Sequence, residues 1–138
     1  MGTLPKRDEI KVKKVILKGS KVKIDLGNRV LTAKIKIEPH VLNTASWFHT
    51  IGKEIRVDND LASNKVYLRS LALHEIIEER VYRDVYKGLP SKERQEKSHN
   101  FAEKIERDYF ISHWGRDEWQ KYMRKVNRVY KIENKKQK

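Results

Sequence analysis

The chain reads as an α+β domain: an N-terminal antiparallel sheet of three to four strands, followed by three helices of which the first two form a hairpin. Three observations carry that reading. Between residues 9 and 58 apolar and polar residues alternate, the period of a strand with one buried face. From Asn64 onward the apolar spacing changes to three and four residues, the period of an amphipathic helix. The two regimes follow one another without interleaving, which favours segregated strands and helices over a βαβ repeat. A length of 138 residues is that of one ordinary domain able to bury a core. The boundaries expected are a single domain over 1–130, with a sheet at 9–58, a helical part at 64–130 and a flexible basic tail at 131–138.

Taken in order, "EIKVKKVILK" offers a first strand that ends at Gly19-Ser20. In "KVKIDLGNRVLTAKIKI", Val22, Ile24 and Leu26 alternate before Gly27-Asn28, and Leu31, Ala33, Ile35 and Ile37 alternate after it. This is the pattern of a hairpin with a two-residue turn. The strands should bury one face and cover the other with lysines. Pro39 closes the region, "HVLNTASWFHTIG" is compatible with a short helix or a loop, and "KEIRVD" reads as a short fourth strand. The first helix should run from Asn64 to Lys87 and stop at Gly88, with Pro90 soon after. Ser91 can cap a second helix through about Ile111, where "SHWGRDEW" interrupts it. A third, from Asp117 to Tyr130, separates Trp119, Met123, Val126 and Tyr130 from Lys121, Arg124, Lys125 and Arg128, as a helix docked on a body would.

Composition narrows the partners. The net charge is +13, with Lys and Arg outnumbering Asp and Glu by 11 to 4 in residues 1–40 and by 9 to 3 in residues 111–138, against 8 to 9 in residues 71–110. Such basic termini attract polyanions, nucleic acid foremost, without sequence preference. The chain has no cysteine, so a metal site must use nitrogen and oxygen ligands, and a cytoplasmic location is expected over a disulfide-held secreted fold. No apolar run approaches the roughly 20 residues that span a bilayer, so no membrane partner is expected. The abundance of Lys, Arg and Glu with Ile, Val and Tyr is the composition of proteins from hot environments.

The chemistry concentrates in "LALHEIIEERVYRD". At about 100° per residue, Tyr67, Leu71, His74, Glu78, Val81, Tyr82 and Val85 share one face, with an imidazole and a carboxylate at its centre. An ionisable carboxylate in an apolar stripe costs several kcal/mol unless paired, protonated or bound to a cation. His74 and Glu78, four residues apart, can grip one ion, with Glu75 flanking it. In "SHNFAEKIERDYF", His99 and Glu106 are nearly aligned, Ala102 lies between them, and Glu103 is an alternative partner of His99. Two antiparallel helices joined at "GLPS" would bring His74, Glu78, His99 and Glu106 together as a two-nitrogen, two-oxygen site for zinc, iron or manganese. If all four bind, a tetrahedral zinc is saturated and structural. If Glu106 instead holds His99 in place, three ligands remain, water takes the fourth position, and Glu75 can shuttle its proton.

The pattern His74-Glu75-x-x-Glu78 with His99-x-x-Ala102-x-x-x-Glu106, over residues 56 to 110, resembles one found in small uncharacterised archaeal and phage or virus proteins. More distantly it resembles the zincin metallopeptidases, whose layout the short strand "IRVD" also fits. The zincin resemblance implies one divalent metal, zinc by preference, with Glu75 as base to a water on it; Glu78 stands where zincins have a second histidine. The function expected is that of a metal-dependent hydrolase or peptidase. The alternative is a non-enzymatic nucleic-acid-associated protein of a virus or mobile element, in which the cluster is a structural metal or an interhelical polar network joined by Arg56 or Arg69. His40, His49 and His113, and the aromatics Trp47, Trp114 and Trp119, are assigned to packing or surface.

Overall fold

The computed structural model describes residues 11–27, 29–39, 45–48 and 54–136, with side chains described for all of these except 45–48 and 132–136. Its elements are strands β1 (Lys14–Lys18), β2 (Lys21–Asp25), β3 (Val30–Glu38), β4 (Ala45–Phe48) and β5 (Glu54–Asp58), then helices α1 (Asn59–Ala62), α2 (Lys65–Asp84), α3 (Ser91–Trp114) and α4 (Arg116–Lys136). The α+β order of the sequence reading holds. The sheet, however, has five strands in the order β1-β2-β3-β5-β4, and it is mixed, not antiparallel. The segment expected to be a short helix or loop supplies β4, which pairs antiparallel with β5 at the edge. β5 returns between β4 and β3 and runs parallel to β3, placing Ile35 beside Ile55 and Ile37 beside Val57. This topology escapes sequence periodicity, because alternation reports which face is buried and not which strand lies next door.

Local chemistry explains the turns. Gly27 has φ 88°, a conformation that L side chains resist, and its N–H donates to Asp25 Oδ1 at 2.7 Å. Leu26 N–H donates to Arg29 O at 2.9 Å, closing a two-residue hairpin loop; Asn28 lies outside the described residues. Asp58, fully buried at the end of β5, caps α1 by accepting from Asp60 N–H at 2.9 Å. Asn64 caps α2 through its Oδ1, which accepts from Val66 and Tyr67 N–H at 2.9 and 3.2 Å. Pro90 takes the cap position of α3 without a side-chain bond, so Ser91 is the first helical residue and not the cap. α3 runs past Ile111 to Trp114 and ends at Gly115, φ 93°. α4 extends beyond Tyr130 to Lys136, into the stretch expected as a tail.

α2 lies between the sheet and α3. Val15, Val22, Ile24, Ala33, Ile35, Ile55 and Val57 line the inner face of the sheet, and Leu68, Leu71, Ala72, Leu73, Ile76, Ile77 and Val81 surround α2. The helix is therefore buried on several sides; His74 and Glu78 lie where it meets α3, and Glu79, Arg80, Arg83 and Asp84 pair with one another along it. α4 docks with Trp119, Tyr122 and Val129 buried. This differs from the expected set, since Tyr130 is 44% exposed while Tyr122 is 1% exposed. Trp119 and Trp114 pack edge-on to Phe110, as assigned to packing. His113 also packs, with its ring centroid 3.9 Å from that of Tyr109. His40 and His49 lie outside the described residues, as does the side chain of Trp47.

Candidate metal centre

The six residues between α2 and α3 return the chain antiparallel, so contacts between the two helices step in opposite directions along them. Arg94 Nε donates to Tyr82 O at 2.8 Å, Gln95 Nε2 to Glu78 Oε1 at 3.2 Å, and Ser70 Oγ to Glu106 Oε2 at 2.5 Å. Ala102, completely buried, leaves room for the close approach of the helices. His74 sits at the centre of this ladder with 13% of its side chain exposed. Its Nδ1 lies 3.0 Å from Glu106 Oε1 and its Nε2 2.8 Å from Glu78 Oε2. His99 approaches from the rim, 53% exposed, with Nδ1 at 3.5 Å from the same Glu78 oxygen and Nε2 at 3.8 Å from Glu103.

The sequence reading grouped His74, Glu78, His99 and Glu106 as ligands. The donor atoms of the first three lie within 4.8 Å of one another. Glu106 stands at the other ring nitrogen of His74, and the residue it holds is His74, not His99. It is also no rim residue, being 5% exposed. Ser70 and Tyr122 both donate to Glu106 Oε2, at 2.5 and 2.6 Å, which leaves Oε1 for the imidazole. Sequence analysis missed both hydroxyls. Ser70 was within reach of it, one helical turn before His74; Tyr122 belongs to α4, and only the docking of that helix brings it here. Arg56 pairs with Glu38 and Glu54 on the sheet, at 3.6 and 3.4 Å. Among the described residues no Lys or Arg forms an ion pair with Glu75, Glu78 or Glu106, so the arginine-paired form of the polar network is not what the cluster adopts.

The electrostatics follow from this wiring. Burial by itself pulls the His74 pKa down, but the hydrogen bonds to Glu106 and Glu78 outweigh it and hold the group well above 6.5. For Glu78, burial pushes up while hydrogen bonds from His74 and His99 bring the carboxyl down to about 2. His99 is raised chiefly by its bond to Glu78. Tyr122 is raised well above 10.0 by burial and by the carboxylate it faces. Glu75 is partly buried and has no hydrogen bond or ion pair among the described residues; burial lifts its pKa to about 8, with the His74 charge opposing.

Nothing matches the chain among protein-family models, curated proteins or solved structures. The chemistry of the donors is therefore what bears on function. A tetrahedral ion with donors about 2.05 Å away separates those donors by roughly 3.3 Å. The 2.8 and 3.5 Å separations at Glu78 Oε2 bracket that figure. Two imidazole nitrogens and one carboxylate oxygen suit zinc and its neighbours. The half-exposed His99 can turn without disturbing the core, and its side of the cluster is open to solvent.

Proposed function

We infer that the chain is a metal-dependent hydrolase, peptidase-like in its chemistry, whose one divalent ion, zinc or a close neighbour, is held by His74 Nε2, Glu78 and His99. One observation carries the reading. Buried Glu106, itself held by two hydroxyls, accepts from His74 Nδ1, and this aims Nε2 at Glu78 and His99. A carboxylate behind a ligating histidine fixes its tautomer and orientation and raises its basicity. With three protein ligands, the ion would keep a position open at which it polarises a substrate carbonyl and acidifies water. Glu75, poised at about 8, has an affinity for protons suited to exchanging one near neutrality. No hydrogen bond or ion pair among the described residues engages its carboxyl, which supports an acid–base role over a structural one.

The test is elemental analysis of protein purified without chelators, followed by hydrolysis assays on unstructured polypeptide and on small ester substrates. About one ion per chain is expected. Glu75→Gln should keep that ion and lose hydrolysis by at least about a hundredfold, the scale of a lost general base. Protein free of metal, or a Glu75→Gln variant as active as the parent, would remove this reading. A second reading has its own support: among the described residues no buried side-chain nitrogen or oxygen lacks a hydrogen-bond partner, so the cluster can also serve as a metal-free polar lock between α2, α3 and α4. That lock predicts no bound ion and full stability in chelator.

A further inference from the structure

The sheet has a second face that the metal centre does not use. With Val15, Val22, Ile24, Ala33 and Ile35 turned inward and buried, alternation sends Lys14, Lys18, Lys21, Lys23, Lys34 and Lys36 to the opposite face, where all six are exposed. The register sets Lys18 against Lys21 and Lys21 against Lys34. Three ammonium groups thus cross β1, β2 and β3 in one row, at the strand spacing of about 4.8 Å. Like charges directly opposite one another weaken a sheet, so stability does not explain the row. The acids of this face do not neutralise it. Glu38 is engaged by Lys36 and Arg56, Glu54 by Arg56, and Asp25 by the turn at Gly27. Lys14, Lys18, Lys21, Lys23 and Lys34 have no ion pair among the described residues.

We propose that this lysine-covered face binds the phosphate backbone of double-stranded nucleic acid without reading its sequence. Lysines are mobile point charges that suit phosphate oxygens, and an intervening phosphate turns the repulsion along the row into attraction while releasing counterions. Among the described side chains, the three strands that carry the row place no aromatic ring beside it, so the row itself offers no stacking platform of the kind a single-strand binder uses. Its apolar side chains there are Ile16 and Val30, 38% and 55% exposed, a poor anchor for a lipid leaflet, which needs larger apolar insertion. The surface gathers six of the eleven basic residues of residues 1–40 onto one face, and it lies on the far side of the sheet from α2. It therefore stands or falls separately from the metal centre.

The test uses the full chain and fluorescence anisotropy with short labelled DNA and RNA duplexes, from about 50 to 200 mM salt. Both duplexes should bind, because the lysines contact phosphate and not sugar. The triple variant Lys18→Gln, Lys21→Gln, Lys34→Gln should bind at least about tenfold more weakly at about 100 mM salt, and its log–log salt slope should be shallower by about 2 to 3. It should melt no lower than the parent, since it removes a like-charge row. A comparison variant on α4, Lys121→Gln, Arg124→Gln, Arg128→Gln, should retain the parent slope. The proposal is overturned if neither duplex binds, if the sheet variant binds like the parent, or if the α4 variant is the one that loses binding. Binding to phosphatidylserine vesicles but to neither duplex also overturns it, as does a lower melting temperature in the sheet variant, which would make the row structural.

Discussion

Glu106 decides what His74 can do. With Oε2 occupied by Ser70 and Tyr122 hydroxyls, its Oε1 faces Nδ1 at 3.0 Å and leaves Nε2 as the only nitrogen of His74 directed at Glu78. Glu106→Gln keeps the shape and an acceptor for Nδ1 but removes the charge behind it. Loss of such an outer partner weakens metal binding by about 10- to 100-fold, and competition against a chromophoric chelator should read that loss with the circular dichroism unchanged. His74 and His99 both hold protons more tightly than a free histidine, and both must give them up to a metal. Zinc affinity should therefore tighten by about tenfold per pH unit for each proton released between pH 6 and 7.5 or so. Calorimetry in two buffers of different ionisation heat counts those protons, and a pH-independent affinity would contradict the assignment of His74 as a ligand. At this scale the sequence disclosed the pairing of His74 with Glu78, because residues on one helical face are neighbours whatever surrounds them, and His99 followed from setting the next helix antiparallel to it. It did not disclose which oxygen meets which nitrogen.

Elements acquire their roles from where they stop. α3 ends at Gly115, whose φ 93° and ψ 162° lie in a region open almost only to glycine, and this turn sends α4 back so that Tyr122 reaches Glu106. A Cβ there would meet nothing within 4 Å, so the effect of Gly115→Ala is one of backbone conformation alone. It should destabilise the protein by about 1 to 3 kcal/mol, read from denaturant melts. Zinc affinity should weaken with it if the turn sets the position of Tyr122. The helical periods were legible in advance, since they rest on apolar spacing within one segment; the caps were not, because Asn64 was read as the first residue of α2 and Ser91 as the cap of α3, a position that Pro90 takes. β4 was not legible. Its pairing is with β5 at the sheet edge, and a short segment without clear alternation declares itself a strand only when a partner supplies the hydrogen bonds. The docked face of α4 was misjudged by one position, with Tyr122 and Val129 buried in place of Met123 and Tyr130, because an amphipathic stripe has two edges and the neighbouring helices choose between them.

For the whole molecule the titrating groups add to a stability profile with a definite sign. Glu78, lowered from 4.5 to about 2, contributes stability that is complete above pH 4.5 and lost as pH falls toward 2. His74, raised above 6.5, contributes stability that is complete below 6.5 and lost as pH rises through its folded value. Glu75, raised from 4.5 to about 8, disfavours the folded state increasingly between those two values. Chelator-treated protein should therefore be most stable near about pH 4.5 and should melt several degrees lower at pH 8.5 than at 5.5. Glu75→Gln should shrink that alkaline loss, and zinc should restore more stability at the higher pH. A melting temperature that is flat or rising across this range would refute the burial of these charges. Among the described residues no helix is long and apolar enough to cross a membrane. By itself the sequence determined the α+β class, the helical periods, the lysine-covered face and the candidate ligands on α2 and α3, because each rests on spacing within one segment. The tertiary structure alone decided the mixed strand order, the placement of β5 between β3 and β4, and the assignment of Glu106 to His74 through Tyr122. Those depend on which segments become neighbours, a matter settled by the burial of several elements at once and not by the period of any one.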